Sequence, residues 1–259
     1  MGAELPQEEG DRVKDKQLFT KSKKIFGFKD AFAVLFVLTQ LALAPFVHLT
    51  YGRNNLFISF ITVANCLLFA VFMIRGSGGK KRLIAVALSF TLAADFGLVL
   101  LLAKDAILSM YLFNLAQICY FLYLYSEQGS FRARTIHLVL RALLISCALA
   151  AVFIALGSDA DELSIISLIY YANLLCNTAI AFSLFKKMPL FAIGLLLFVF
   201  CDLFVGFMNL GFYFEIERGS FLYSLMYPEI NMSWVFYLPS QTLIALNTAE
   251  LGAKKERGC

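Results

Sequence analysis

The sequence predicts an all-α polytopic membrane protein with eight transmembrane helices. Two observations on composition support this: 60% of the 259 residues are hydrophobic and only 15% are charged. A third is that apolar runs recur along the chain, each near the length of about twenty residues that a helix needs to cross a bilayer. Soluble domains are nearer half apolar and about a quarter charged, so the composition excludes an ordinary soluble domain.

Three regions are expected along the chain. Residues 1–29 form a basic arm, residues 30–252 the transmembrane domain, and residues 253–259 a short tail. No signal peptide is expected, because the arm is charged throughout and has no short apolar core. The predicted spans are 31–50, 55–74, 83–103, 106–125, 135–156, 164–185, 190–211 and 232–251.

The positions of lysine and arginine predict the orientation of these spans. If both termini are cytoplasmic, 18 of the 22 basic residues lie on inner segments, and only Arg53, Lys104 and Arg218 lie on outer loops. This bias agrees with the positive-inside rule. The remaining one, Arg141, falls about two turns inside the fifth span, and we expect its side chain to snorkel towards the inner surface. The expected location is the plasma or inner membrane.

The loop of residues 212–231, between the seventh and eighth spans, is the longest connection. Its aromatic residues are Phe212, Tyr213, Phe214, Phe221, Tyr223 and Tyr227. Aromatic side chains of this kind gather at membrane–water interfaces. The loop is therefore expected to lie on the outer interface, and a lid over a lipid-entry slot is the alternative.

Cysteine and histidine positions argue against a metal centre. None of the six cysteines has the spacing of a metal site or of a disulfide framework. The two histidines, His48 and His137, fall at opposite faces of the predicted membrane domain, so they cannot share a ligand set. We expect no metal, no cofactor and no nucleic-acid partner. The expected partner is the lipid bilayer, and the oligomeric state is not fixed by the sequence.

Two aspartates lie deep inside apolar runs, Asp95 in the third span and Asp202 in the seventh. A charged side chain near the bilayer centre costs several kcal/mol, so an acid there indicates a functional site. Asp95 follows Arg82 by 13 residues and Asp202 follows Pro189 by 13. The two acids therefore lie at matching depth, and we expect them to face one central cavity.

The two halves of the chain share further features. The third and seventh spans run in the same direction, and the segment Tyr111–Gln117 in the fourth span is similar to Val235–Gln241 in the eighth. Four spans separate equivalent helices, which is an even number. The pattern is compatible with a parallel 4+4 internal repeat about an axis along the membrane normal.

Polar side chains recur in pairs that share a helix face. The pairs are Asn114 with Gln117, Asn173 with Asn177, and Tyr237 with Gln241. Residues three or four apart lie on one face of a helix. One interpretation is hydrogen bonding between helices, and the other is the lining of a polar cavity. Several such pairs together with two acids favour the cavity.

Two short motifs carry a resemblance to a known family. Gly194-Leu-Leu-Leu-Phe-Val-Phe-Cys-Asp202 and Ala94-Asp95 resemble the Gly-x-x-x-Phe-x-x-Ser-Asp and Gly-Asp motifs of the YhhN-like, lysoplasmalogenase family of eight-span membrane proteins. In helix number and spacing the resemblance covers most of residues 31–251.

Two more positions extend this resemblance. The family's fourth span carries His-x-x-Tyr, which falls on Gln117-Ile-Cys-Tyr120. Its last span carries a tyrosine and a glutamine that are similar to Tyr237 and Gln241. The departures are Cys201 for serine, Ala94 for glycine and Gln117 for histidine. Glutamine can form hydrogen bonds but cannot take up a proton, so a divergent or inactive member is one alternative.

The resemblance implies hydrolysis of the vinyl-ether bond of a single-chain ether phospholipid, a lysoplasmalogen. Asp95 and Asp202 are then the expected catalytic residues, one as general acid and the other as base. The expected substrate-binding residues are Asn114, Gln117, Tyr120, Asn173, Asn177, Tyr237 and Gln241. Two neighbouring carboxyls titrate in separate steps, which provides an acid and a base from identical residues.

Other activities fit the two acids less well or leave the question open. Aspartyl intramembrane proteases carry Gly-x-Gly-Asp and Tyr-Asp motifs, whereas here the acids follow Ala-Ala and Phe-Cys. A ceramidase-type metal hydrolase needs a histidine cluster that the sequence lacks. A proton-coupled carrier stays open, since buried acids and parallel repeats suit alternating access.

Overall fold

The computed structural model describes residues 27–49, 53–75, 79–100, 106–227 and 230–249. Most of the basic arm, the tail and Lys104 lie outside the described residues. The predictions for these segments stay predictions.

The described residues form eight long helices and one short one, and they contain no strand. The long helices are α1 (Phe28–Leu49), α2 (Arg53–Met73), α3 (Arg82–Leu100), α4 (Ala106–Glu127), α5 (Phe131–Leu156), α6 (Glu162–Ser183), α7 (Pro189–Asn209) and α9 (Met232–Leu246), and the short helix is α8 (Phe221–Met226). Three 3-10 turns connect them at Gly79–Lys81, Gly157–Asp159 and Leu210–Phe212.

Each long helix coincides with one predicted span, and most ends agree within a few residues. α9 is shorter than predicted, since it ends at Leu246 and not near residue 251. The reason lies in the backbone: Thr248 N–H donates to the Ala245 carbonyl and Ala249 N–H to that of Leu246, both at 3.0 Å. Bonds to the third residue back tighten the last turn and close the helix.

Five segments in the described part are long and apolar enough to cross a membrane. They are Phe28–Val47, Ala106–Glu127, Phe131–Asp159, Glu162–Ser183 and Pro189–Phe212, and Phe57–Met73 is a shorter apolar helix. The apolar side chains of α5 point outwards, since only 6% of its most apolar stretch is buried. Such a surface is stable in lipid and not in water. The protein is therefore an all-helical membrane protein.

Six of the helices pack as a closed ring. Around the ring the order is α2, α3, α4, α6, α7 and α9, and α9 returns to contact both α2 and α3. The two remaining long helices lie outside it: α1 packs on α2 and α9, and α5 packs on α6. Side chains directed inwards from the ring therefore form the centre of the protein.

The contacts of the first half of the ring are repeated in the second half. The contact of α3 with α4 corresponds to that of α7 with α9, and the contact of α2 with α3 to that of α6 with α7. The outer helices follow the same pattern, because α1 lies on α2 as α5 lies on α6. Matching contacts of this kind are compatible with the predicted parallel repeat, which stays a prediction.

Gly194 allows the close approach of α7 and α9. A Cβ atom at this position would lie 2.9 Å from Ile244 Cγ1 and 3.2 Å from both the Ile244 nitrogen and the Ser240 carbonyl oxygen. The two backbone atoms cannot move without shifting α9. Small residues at such crossings are how membrane helices pack closely.

We expect Gly194→Val to lower the free energy of unfolding by about 1–3 kcal/mol, the usual cost of overpacking a tight contact. The measurement is thermal unfolding in detergent. Gly206→Val on the same helix is the matched control, because a Cβ there has no neighbour within 4 Å among the described atoms. Equal stability of the two variants would contradict the close packing of α7 on α9.

Asp161 caps the start of α6. Its carboxylate accepts from the Ser164 N–H at 2.7 Å, and the Ser164 hydroxyl lies 3.1 Å from the Asp161 N–H, which completes a capping box. The Tyr213 hydroxyl, in the segment after α7, donates to the same carboxylate at 3.2 Å. The hydrogen bond from Ser164 lowers the pKa of the Asp161 carboxyl below its ordinary value.

We expect Asp161→Ala to lower the free energy of unfolding by about 1 kcal/mol near neutral pH, which is typical for a lost N-cap. Because the folded pKa is lowered, the stabilisation is complete above the ordinary aspartate pKa of about 3.9. It is lost as pH falls through the lower folded value. Thermal unfolding of both proteins between about pH 3 and 7 measures this, with Asp159→Ala as control. A constant difference across that range would contradict it.

Candidate functional site

Each of the two aspartates that the sequence analysis placed inside the membrane accepts a hydrogen bond from a tyrosine on another helix. Asp95 on α3 accepts from the Tyr237 hydroxyl of α9 at 2.5 Å. Asp202 on α7 accepts from the Tyr170 hydroxyl of α6. Both tyrosines are buried, with 5% of their surface exposed, whereas the two aspartates are partly exposed. A phenol hydroxyl in this position satisfies and orients a carboxyl.

An aromatic cluster joins the two aspartate–tyrosine pairs. The Phe198 ring of α7 packs edge-on against Tyr237 at 5.7 Å and against Tyr170 at 6.5 Å between ring centres. Phe198 is 1% exposed, so it fills the space between the two tyrosines. Phe198 therefore links the Asp95–Tyr237 pair to the Asp202–Tyr170 pair. The ring of helices therefore brings the two predicted acids into one cluster.

The surroundings of the two acids differ. In the alignment of Tyr111–Gln117 with Val235–Gln241, the position equivalent to Tyr237 is Phe113. Phe113 packs on Tyr170 at 5.7 Å between ring centres, and it has no hydroxyl. Asp202 is instead bonded by Tyr170 from α6. The two halves thus place equivalent carboxyls, Asp95 and Asp202, among different neighbours.

The sequence analysis missed Tyr170. A signal for it was present, because Tyr170 precedes Asn173 by three residues and therefore shares its helix face. A single tyrosine in an apolar helix does not by itself indicate which acid it contacts, and only the packing of α6 on α7 shows this.

Arg141 is bonded within the helix assembly, to partners that the sequence analysis did not indicate. Whether its side chain also reaches towards the inner surface stays a prediction. Arg141 is ten residues from the start of α5, about 15 Å along the helix. Its guanidinium donates to the Asn177 carboxamide oxygen at 2.5 Å and to that of Asn173. It also lies 4.2 Å from the centre of the Phe121 ring. These partners on α6 and α4 stabilise the cation within the helix assembly.

The four predicted amide residues of α4 and α6 bond to one another. Asn177 donates to the backbone and side-chain oxygens of Gln117, both at 2.9 Å. Asn114 donates to the Ile166 carbonyl at 3.3 Å, and its own oxygen accepts from Asn173 at 3.5 Å. These contacts agree with the first of the two interpretations given above, which is hydrogen bonding between helices. Their role towards a substrate stays a prediction.

Tyr120 and Gln241, the other two predicted binding residues, lie fully buried at 0% exposure. Neither the Tyr120 hydroxyl nor either amide atom of Gln241 forms a well-shaped hydrogen bond within the described chain. The Tyr120 hydroxyl is close enough to that of Thr91 to interact with it. Gln241 lies one turn from Tyr237 on the same face of α9.

The described residues contain no group of three or more histidine, cysteine, aspartate or glutamate side chains that could hold a metal ion. Cys66, Cys119, Cys147, Cys176 and Cys201 are free thiols. His137 pairs with the side chain of Gln128, and the side chain of His48 lies outside the described part. The chemistry available in the cluster is therefore that of carboxyls, phenols and amides.

The loop after α7 lines a separate, open pocket of about 420 Å³. Its lining residues include Gly211, Tyr213, Glu215, Met226 and Tyr227. Phe212, Phe221 and Tyr227 expose 63% or more of their surface, which is compatible with the predicted aromatic belt. The lid alternative also stays a prediction.

We expect Arg141→Met to lower the free energy of unfolding by about 1–3 kcal/mol, because the oxygens of Asn173 and Asn177 lose their donors in a packed helix interface. Thermal unfolding in detergent measures this. Arg132→Met, at the exposed start of the same helix, controls for loss of charge. An unchanged or higher melting temperature for Arg141→Met alone would contradict the proposed role of the network.

Comparison with known proteins identifies the family. A model described as the YhhN family matches residues 55–248, about three quarters of the chain. The match includes both aspartates and both tyrosines that bond to them. Searches of curated proteins and of solved structures give no match. Because this match covers well over half of the sequence, the chain belongs to the YhhN family.

Proposed function

We propose that this protein is a membrane-embedded lipid hydrolase that cleaves the vinyl-ether bond of a lysoplasmalogen. The products are a fatty aldehyde and a glycerophospho-base. The proposal is supported by one observation above all: two intramembrane aspartates, each oriented by a tyrosine, are joined through Phe198 in one cluster. Placing an acid inside a membrane costs free energy, so its presence there indicates a function. In this proposal two such acids lie together.

The proposal includes a topology of eight spans with both termini in the cytoplasm of a cell, in its plasma or inner membrane. The positions of the eight long helices and the basic residues support it. The matching contacts of the two half-rings support a parallel 4+4 repeat. Such an intramembrane site suits a single-chain lipid, because its one acyl-like chain can enter sideways from the bilayer.

The chemistry begins with proton transfer to carbon. A general acid protonates the β-carbon of the vinyl ether, which gives an oxocarbenium ion. We assign this role to Asp202, because Tyr170, which donates to it, packs against the rings of Phe113 and Phe198. The Asp95 carboxylate stabilises the cation and takes a proton from the attacking water. The helix turn next to Asp95 carries uncharged polar side chains, which are suited to bind water.

The hemiacetal that forms then collapses. Its hydroxyl proton returns to Asp202, and Asp95 gives its proton to the departing glycerol oxygen. The overall reaction consumes one water and leaves both aspartates as they began. Gln117 takes no part as a proton carrier here, so the two carboxyls alone account for every proton. Asn114, Gln117, Tyr120, Asn173, Asn177, Tyr237 and Gln241 are proposed to position the substrate.

We expect purified protein in detergent to release aldehyde from lysoplasmalogen and not from the matching ester lysophospholipid. Asp202→Asn and Asp95→Asn should each lower the rate at least about 100-fold, the lower range for a lost acid or base. Tyr237→Phe should lower it about tenfold, since the Asp95 carboxyl loses one hydrogen bond. Product analysis by mass spectrometry measures all four proteins.

The matched control is Asp161→Asn, at an exposed carboxyl outside the cluster, which should cleave at the wild-type rate. Wild-type activity in either Asp95→Asn or Asp202→Asn would contradict the two-carboxyl mechanism. Absence of aldehyde with folded, monodisperse wild-type protein would contradict the activity.

A proton-coupled carrier is the second candidate. It is favoured by the paired half-rings, since repeats of this kind occur in carriers that alternate access across a central site. This function predicts proton movement in liposomes and no lipid product. An inactive homologue, in which Gln117 replaces a required histidine, predicts neither.

A further inference from the structure

Four polar side chains form a layer next to the Asp95–Tyr237 pair, and we name Thr91, Gln117, Tyr120 and Gln241 the polar layer. All four are 0% exposed. They come from three helices of the ring, α3, α4 and α9. A fully buried layer of polar groups inside a membrane domain requires a physical explanation, because such groups are costly without partners.

Helix geometry places these side chains together. Thr91 is four residues before Asp95 on α3, and Gln241 is four residues after Tyr237 on α9. Asp95 and Tyr237 are bonded. Because α3 and α9 both contact this pair and run in opposite directions, the next turn along each helix brings Thr91 and Gln241 to the same level. The Tyr120 hydroxyl lies beside Thr91 without a hydrogen bond of normal geometry between them, and Gln117 lies one turn away from Tyr120 on α4.

The layer is short of hydrogen-bond partners. Among the described residues no well-formed partner exists for Thr91 Oγ1, Gln117 Nε2, the Tyr120 hydroxyl, or Gln241 Nε2 and Oε1. Buried polar atoms in folded proteins nearly always have a partner, either protein or ordered water. A buried water commonly satisfies about three such groups. Both amide atoms of Gln241 being unpartnered is the most unusual feature of the layer.

The chemistry of the layer indicates the ligand. Its members are hydroxyls and carboxamides, which donate and accept but carry no charge. Arg141 reaches the layer only through Asn177, which bonds Gln117. A phosphate would have to give up its hydration for neutral partners alone, at high cost. Small neutral molecules that both donate and accept fit the layer, and water is the simplest of them.

We propose that the polar layer binds water molecules and that it supplies the nucleophile to Asp95. The role in supply rests on the proposed hydrolase function, whereas the binding of water does not. In the reaction, the oxygen of a layer water forms a bond to the oxocarbenium carbon, and its proton passes to the Asp95 carboxylate. Gln241 and Thr91 are positioning residues in this step, since they hold the water. For Gln241 this specifies which reactant it positions: the water and not the lipid.

Radiolytic hydroxyl-radical labelling of the protein in detergent tests the water directly, because it modifies side chains that lie beside bound water. Tyr120 should be labelled although it is fully buried. Phe191 packs on Tyr120 at 5.5 Å between ring centres and is also 0% exposed. It should stay unlabelled, as should the buried Phe69, which packs on Phe32 and Phe36. Absence of label on Tyr120 would overturn the proposal.

Gln241→Leu tests the same site by stability and kinetics. We expect its melting temperature to fall by a few degrees, because leucine displaces water and leaves Thr91 and Tyr120 without partners. If the layer were dry, removing an unpartnered amide would raise the melting temperature, and this result would overturn the proposal. Labelling of Tyr120 should also decrease in this variant.

For the hydrolase, Gln241→Leu should lower kcat about tenfold or more with little change in KM, the effect of losing about one hydrogen bond in the transition state alone. Gln40→Leu, at a buried glutamine between α1 and α2, should keep the wild-type kcat. A raised KM with unchanged kcat, or loss of Tyr120 label on adding lysolipid, would show a head-group site and overturn the proposal.

The two proposals fail separately. A labelled Tyr120 in a protein that releases no aldehyde would leave the water site standing and contradict the hydrolase. Aldehyde release with an unlabelled Tyr120 would support the hydrolase and contradict the water site.

Discussion

The structure depends on the cost of placing two carboxyls among apolar helices. Each carboxyl is satisfied by a tyrosine from another helix: Tyr237 crosses from α9 to Asp95, and Tyr170 from α6 to Asp202. The Asp95–Tyr237 bond ties one half of the ring to the other, and the Asp202–Tyr170 bond joins two neighbouring helices of the second half. Together they fix the rotation of four helices about their axes. Phe198 then fills the space between the tyrosines. Among apolar helices, a carboxyl is stable only where a second helix donates a hydrogen bond to it.

The remaining polar groups fall into two sets with different roles. Arg141, Asn114, Asn173, Asn177 and Gln117 form an extended network that attaches the outer helix α5 to the ring. The polar layer shares Gln117 with this network, but it has unpartnered atoms and no charge. The first set therefore stabilises the helix assembly, and the second is suited to hold a small ligand. Lipid hydrolysis within a membrane needs a rigid helix assembly that holds the acids in place, and it needs a source of water.

Much of the fold was predictable, because apolar length alone determines where a membrane helix forms. All eight spans match helices, and both acids were singled out by their depth. Gly194 was noted as a motif residue, yet its contact with Ile244 and Ser240 depends on the crossing of α7 and α9. The direction of the Arg141 side chain and the acceptor of the Tyr170 hydroxyl also depend on which helices are neighbours. A short-range pattern of three or four residues gives the face of a helix but not the helix that it meets, so these partners could not be predicted.

The most direct test of the central claim is hydrolysis of lysoplasmalogen in D₂O, with the aldehyde trapped by reduction and analysed by mass spectrometry. If a carboxyl protonates the β-carbon, the account predicts a single deuterium on the carbon next to the former aldehyde carbon. It also predicts that both aspartate-to-asparagine variants abolish this product. Aldehyde without deuterium at that carbon would contradict acid catalysis by the aspartate pair, and the function would have to be sought in another chemistry of the same cluster.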